Sequence, residues 1–403
     1  TTVFPTGLGL AATWSTDLMQ QVGQVIGKEV RLQGGHISYG PVLDLSREPR
    51  WSRVEETLGE DPYLSGTMGS AIVKGLGGGN LSHPYSTIAT LKHFIAYGTT
   101  EGGQNGARSI MGPRELQQVF LPPFKQAIDA GALSVMTSYN SLDGVPCTAN
   151  RQLLSTVLRE EWKFDRGIVV SDLFSIDGIR GTHRTAETLQ DAAIQALLAG
   201  VDVDLGGNCY AKLVEAVKKG TVSEGALDNA VRRVLRLKFE MGLFEHPYVD
   251  TKAATRGVND NRAIATAWQA ALESITLLKN ENSALPLAEG TRMTLFGNAS
   301  VNSSIYRTSS PDYIPYVDYV SAMQAQFGAE NVNTACARTS IPVSARISSA
   351  KPGKIEASID CMERKTAFKS NPPACAIPAC SILQSMANDL YIISDVIYGC
   401  SKG

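Results

Sequence analysis

The stretch Arg166-Gly-Ile-Val-Val-Ser-Asp172-Leu-Phe-Ser decides how the rest of the chain reads. Ile168, Val169 and Val170 are consecutive β-branched residues of the kind that fill a strand buried on both faces. The run stops at Ser171 and Asp172, where such a strand would end. A carboxylate at the carboxyl end of a parallel barrel strand lies on the face where that architecture keeps its chemistry. Asp is also a common turn residue, so this stretch alone leaves Asp172 open between a turn cap and a functional carboxylate.

The pattern recurs along the chain. Ile37-Ser-Tyr-Gly-Pro-Val-Leu-Asp44 is an apolar run ending in an acid, and Ile88-Ala-Thr-Leu-Lys92-His93-Phe ends in two bases. Leu133-Ser-Val-Met-Thr-Ser-Tyr139-Asn140 and Gly200-Val-Asp202-Val-Asp204 also carry polar groups at their ends. Between these runs, helical spacing appears over residues 15–31, with Ser15 as N-cap, and over 63–75 and 150–162. It appears again over 188–199, 210–219 and 224–244. A further helix over 114–130 contains Pro122-Pro123 and is expected to kink there. Five strand-like runs alternating with helices predict an α/β fold of the (β/α)8 barrel type with one functional rim. Five is short of eight, so we expect some strands to be unrecognised here and the first units of the barrel to lie upstream of Thr1. A buried Lys is costly unless paired or functional, so Lys92 and His93 together at a strand end point to a site. The loop Arg47-Glu-Pro-Arg-Trp51-Ser-Arg53-Val-Glu-Glu reads by default as a solvated network of ion pairs.

A chain of 403 residues exceeds what one hydrophobic core usually serves. We read residues 1–245 as the barrel, 246–260 as an exposed linker, and 261–336 as the start of a second α/β sandwich domain. That start is marked by a helix over 261–279 and by Arg292-Met-Thr-Leu-Phe-Gly, a strand turning into a Gly-containing loop. Residues 337–403 are aperiodic and stay unassigned. Five of the seven Cys fall at or after Cys336; Cys375 and Cys380, five apart with no clustered His, form only a weak zinc pattern. A net charge of -2 lacks the basic footprint of a nucleic-acid binder, and no apolar run reaches membrane-spanning length.

The motifs taken together resemble glycoside hydrolase family 3, in its β-glucosidase branch. They are Pro41-Val-Leu-Asp44, Arg47-Glu-Pro-Arg-Trp51-Ser-Arg53, Gly59-Glu-Asp-Pro-Tyr, Lys92-His93-Phe, Val135-Met-Thr-Ser-Tyr139-Asn, Gly144-Val-Pro-Cys-Thr-Ala-Asn150, Val170-Ser-Asp172, Gly200-Val-Asp-Val-Asp and Ser274-Ile-Thr-Leu-Leu-Lys-Asn-Glu-Asn. The likeness runs in unbroken order to about residue 299. It implies that Asp172 is the nucleophile, that Arg53, Lys92 and His93 hydrogen-bond the reacting sugar, and that Tyr139 stands beside the nucleophile. Gln104 occupies a sugar-gripping position where many members have Arg. The resemblance further implies a small-molecule or oligosaccharide substrate and a periplasmic or extracellular setting. It implies no metal and no cofactor, while the charge and hydropathy above lead us to expect no nucleic-acid and no membrane partner; the oligomeric state stays open.

Several positions depart from the family pattern. The family's sugar-gripping Asp precedes a Thr-Val-Phe-Pro motif, and here Thr2-Val-Phe-Pro5 opens the chain, so that Asp is not in it. Leu173 stands where a Trp often follows the nucleophile. The acid/base Glu of the second domain has no match after Ala299; nothing around Glu330, Glu356 or Glu363 singles one out. The family's N-acetylglucosaminidase branch is disfavoured, because the loop after Lys92-His-Phe-Ile-Ala-Tyr-Gly has no Asp-x-His. The expected activity is that of a retaining exo-β-glycosidase hydrolysing terminal β-D-glucosyl or xylosyl residues through an intermediate on Asp172. The alternative is a catalytically impaired, carbohydrate-binding remnant. A strand-end Lys92 also suits Schiff-base chemistry, which is the minor reading.

Overall fold

The computed structural model describes residues 1–296 and 319–335. The chain divides into two compact units, Thr1–Thr276 and Leu277–Gly403. The second starts later than the sequence reading placed it, because 246–276 belong to the first unit. The reason is a set of buried and half-buried polar ties. Glu29 on the helix Thr16–Leu32 accepts from the backbone amides of Thr2 and Asn259, both at 2.7 Å. Lys28 pairs with Asp260 at 2.6 Å, and Asp260 caps the helix Asn261–Glu273 through Ala263. A segment that looks like a linker by composition is thereby held against the first helices.

The first unit is built on a parallel sheet whose strand order follows the chain: Ile37–Ser38, Ile88–Phe94, Ser134–Thr137 and Ile168–Val170. Ile37 faces Ile88, Thr90 faces Ser134, and Ser134 faces Ile168. A parallel bridge from Val170 to Val203 adds a fifth strand position, and one from Val42 to Lys92 prolongs the first. All five runs picked out in the sequence therefore sit side by side, each separated from the next by helical segments. This chain-ordered parallel winding is that of a β/α barrel. At the amino ends of the strands, Leu237 of the helix Glu224–Glu240 is buried among Leu81, Ile88, Leu133 and Ile168 and closes the core on that side.

Local sequence explains the helices that position the site. Ser15 accepts from the Leu18 amide and Asp17 lies in the first turn, so the helix Thr16–Leu32 starts where its N-cap predicts. Asp61 and Pro62 do the same for Pro62–Leu76. These two helices pack backbone to backbone: a Cβ at Gly23 would lie 2.6 Å from the Ile72 carbonyl oxygen, and one at Gly75 would strike that of Gln20. Thr188 and Asp191 form a reciprocal capping box for Leu189–Ala199, and Gly200 ends it at φ +118°. The helix expected over 114–130 is irregular just ahead of Pro122-Pro123. They occupy the start of the helix Leu121–Asp129, and the preceding turn, Leu116–Phe120, is a π-helix. Proline has no amide to donate, and the wider bonding before it carries the chain past the gap.

Behind the strand Ile168–Val170 lies a buried ion network. Asp202 accepts from Arg159 at 2.7 Å, Arg233 at 2.8 Å and the Val169 amide at 2.8 Å. Arg159 also donates to the carbonyls of Phe164 and Gly167. Burial raises the Asp202 pKa against the opposing pull of both guanidiniums, and burial lowers Arg159 to about 10. Within the described residues of the second unit, the parallel strands Met293–Phe296 and Val332–Ala335 enclose the helix Tyr319–Phe327 in sequence, over a small core of Met293, Leu295 and Val332. Residues 337–403, Glu356, Glu363 and the five C-terminal Cys lie outside the described residues.

Asp202→Ala leaves two guanidiniums without their carboxylate and should destabilise the first unit by about 3–5 kcal/mol in urea unfolding. Arg233→Ala should cost less, because its side chain is 25% exposed against 10% for Arg159.

Candidate active site

The carboxyl ends of the strands deliver the polar residues to one place. Ser171 donates its amide to the Val203 carbonyl at 2.9 Å, and its hydroxyl accepts from the Leu205 amide at 2.9 Å. These bonds clamp the turn that carries Asp172. Its Oδ1 accepts from the adjacent Leu173 amide at 2.7 Å. Among the described residues its Oδ2 has no partner of hydrogen-bond geometry, and it lies 3.4 Å from His93 Nε2. The turn-cap geometry is therefore present at Oδ1, and Oδ2 faces the His93 ring.

His93 is 1% exposed at the end of the strand Ile88–Phe94. The register to the next strand shifts between Leu91 and Phe94, and the Lys92–His93 and Phe94–Ile95 peptide bonds are cis. The His93 ring meets Tyr97 edge-on at 5.0 Å between centroids, and Tyr97 in turn meets Trp51 at 4.9 Å. Asn105 accepts from both Trp51 Nε1 and the Tyr97 hydroxyl, which ties the Gly-rich loop to this aromatic wall. Arg53 lies over the Tyr97 ring at 5.5 Å and makes a bidentate pair with Glu56 at 2.7 and 2.8 Å. Burial works against both charges, yet the pair outweighs it: Glu56 is lowered and Arg53 raised. Burial, then the Arg53 charge, lowers the Lys92 pKa, while Glu56, Asp172 and Asp44 pull it up.

Tyr139 donates to the Leu173 carbonyl at 2.8 Å, and its ring stands 6.0 Å from that of Tyr97. Burial and then the Asp172 charge raise its pKa, which keeps the phenol protonated. Beneath it Asn140 donates to the Ile95 carbonyl at 3.2 Å and to Ser109 Oγ at 3.1 Å, holding the loop that follows His93. Asp172, Lys92, His93, Arg53 and Tyr139 therefore belong to one linked constellation. Gln104 stays on the Gly-rich loop with its side chain exposed. Four partners were not among the candidate residues. Asp44 ends an apolar run just as Asp172 does, so the strand-end signal was present for it. Tyr97, Asn105 and Glu56 acquire their places from loop conformation, for which no periodicity speaks.

The family model for the glycosyl hydrolase family 3 N-terminal domain, a TIM-barrel-like α/β fold, matches residues 1–237. A periplasmic beta-glucosidase from Salmonella typhimurium is 39% identical over 307 residues, 73% of this chain and 39% of that protein. A putative beta-xylosidase from Formosa agariphila is 38% identical over 327 residues, 78% of this chain and 43% of its own length. The crystal structure of a beta-glucosidase from Listeria innocua in complex with glucose superposes with a TM-score of 0.75 at 34% identity, covering 83% of this chain and 47% of that one. The chain thus spans less than half the length of these relatives.

The lowered Glu56 pKa fixes the sign of one pH effect. Its pairing with Arg53 adds stability above the unfolded glutamate pKa, and that stability is lost as pH falls through the lower folded value. The melting temperature of the wild-type chain should exceed that of Glu56→Gln at neutral pH, and the gap should close below about pH 4. A gap that is constant across this range would show that the pair is not the source.

Proposed function

The chain belongs to glycosyl hydrolase family 3, and from that premise we propose that its barrel carries the nucleophile of a retaining exo-β-glycosidase acting on terminal β-D-glucosyl or xylosyl residues. The observation that carries the reading is the state of Asp172. One oxygen is fixed by the Leu173 amide, and the other is turned toward His93 with Lys92, Arg53 and Tyr139 around it. A retaining hydrolase needs such a carboxylate at the anomeric carbon, together with a second carboxyl group that protonates the leaving oxygen. Asp172 attacks and forms the glycosyl ester, and water then releases the sugar. Lys92 and Arg53 are donors to sugar hydroxyls, and their charge strengthens those bonds. The buried rings of Tyr97 and Trp51 pack behind His93 and Arg53 and hold those two side chains in place. Gln104 is the outermost of the proposed sugar contacts. The acid is not assigned to a residue of this chain.

The test is mass spectrometry after incubation with dinitrophenyl 2-deoxy-2-fluoro-β-glucoside. Its leaving group needs no acid, so labelling reads the nucleophile by itself. A fluoroglucosyl adduct mapped to Asp172 is expected. Asp172→Ala should take up no label and lose about 10³-fold or more in turnover, with an unchanged circular dichroism spectrum. Absence of the adduct, with glucose binding still seen by calorimetry, would replace this reading with a carbohydrate-binding one.

A further inference from the structure

We propose that Asp44 is a positioning residue that holds His93 in its Nδ1–H form and thereby stops it from donating a hydrogen bond to Asp172. The inference deepens the reading above and rests on it for the role of Asp172. The Asp44 side chain is fully buried. Its Oδ2 receives two bonds from the same residue, the His93 amide at 3.1 Å and His93 Nδ1 at 2.6 Å. The segment is aligned for this by the Leu43 amide on the Lys92 carbonyl at 2.6 Å and the Lys92 amide on the Pro41 carbonyl at 3.2 Å. A carboxylate only accepts, so Nδ1 carries the ring proton. In the neutral ring Nε2 is then an acceptor, and it is the atom 3.4 Å from Asp172 Oδ2.

The arrangement has two consequences for the chemistry. First, the neutral His93 ring does not donate to Asp172 Oδ2, an oxygen left without a hydrogen bond by the geometry of the described residues. A hydrogen bond to that oxygen would stabilise its charge in the ground state and weaken its attack. Second, Nε2 is available to accept from a sugar hydroxyl, while Lys92 and Arg53 donate. A site with both donors and an acceptor at fixed places discriminates among hydroxyl orientations better than a ring of donors. Without Asp44 the favoured tautomer reverses, because a proton on Nε2 gains the Asp172 carboxylate as its partner.

The experiment reads the tautomer and the rate separately. Long-range ¹H–¹⁵N spectra of the chain at neutral pH, with the His93 signals assigned through His93→Gln, should show His93 protonated at Nδ1. In Asp44→Ala the proton should move to Nε2, and kcat/KM for dinitrophenyl β-glucoside should fall about 10- to 100-fold. Asp44→Asn should restore the Nδ1–H form and most of the rate, because the His93 amide selects the amide oxygen as the group facing it. Wild-type His93 protonated at Nε2, or an Asp44→Ala ring that keeps its proton on Nδ1, would overturn the proposal. If Asp44→Ala does not fold, Asp44→Asn decides: loss of the Nδ1–H form there is equally fatal, and its retention supports the proposal. The tautomer needs no turnover to be read. An inactive wild type with Nδ1–H His93 therefore defeats the glycosidase reading alone, and an active one with Nε2–H defeats this one alone.

Discussion

The Asp202 carboxylate is the interaction on which the site depends. It takes hydrogen bonds from two guanidiniums and from the Val169 amide, in a position where burial would otherwise favour its neutral form. Taking charges out of water is expensive, and hydrogen bonds to both Asp202 oxygens offset part of that cost. Here the network joins three parts of the chain: the helical turn bearing Arg159, the strand Ile168–Val170, and Arg233 on the helix that closes the core. The Asp202 and Val203 amides bond back to the Val169 carbonyl, so the strand is gripped at the same residue from both sides. Asp172 follows three residues later, before the chain has room to wander.

Much of this was legible in the sequence for a simple reason. β-Branched runs mark buried strands, and in a parallel sheet wound in chain order all their carboxyl ends lie on one side. Asp172, Lys92, His93 and Tyr139 could be picked out because each sits at or next to such an end. Asp44 obeys the same rule, but its contact with His93 joins residues 49 apart in sequence, which no local pattern reports. Tyr97, Asn105 and Glu56 were not legible, since what places them is the fold of loops that cross between strands. The same limit applies to residues 246–260, whose composition resembles an exposed linker. Their attachment through Asn259 and Asp260 to Glu29 and Lys28 spans 230 and 232 residues of sequence, which no local pattern reports. The π-helical turns at Leu116–Phe120 and Gln152–Glu161 were read as ordinary helix because both kinds of turn bury apolar residues at similar intervals.

Charge at the site is distributed unevenly, and the unevenness follows from burial. Arg53 is committed to Glu56 and pressed on Tyr97, so it is a rigid donor whose position changes little. Lys92 has competing influences on its charge and no single partner that dominates. His93 is braced from behind by Asp44 and from the side by Tyr97. The three cationic or potentially cationic groups therefore differ in freedom: one locked, one adaptable, one oriented.

The crossing of the helices Thr16–Leu32 and Pro62–Leu76 has a consequence for how this sequence can drift. With Gly23 and Gly75 face to face, the main chains themselves are the packing surface, and no side chain stands between them to yield. Elsewhere in the core a larger residue can be accommodated by a neighbour that shrinks. At this crossing the neighbour is backbone, which cannot be exchanged for something smaller, so the two glycines are bound to one another as a pair without covariation to release them.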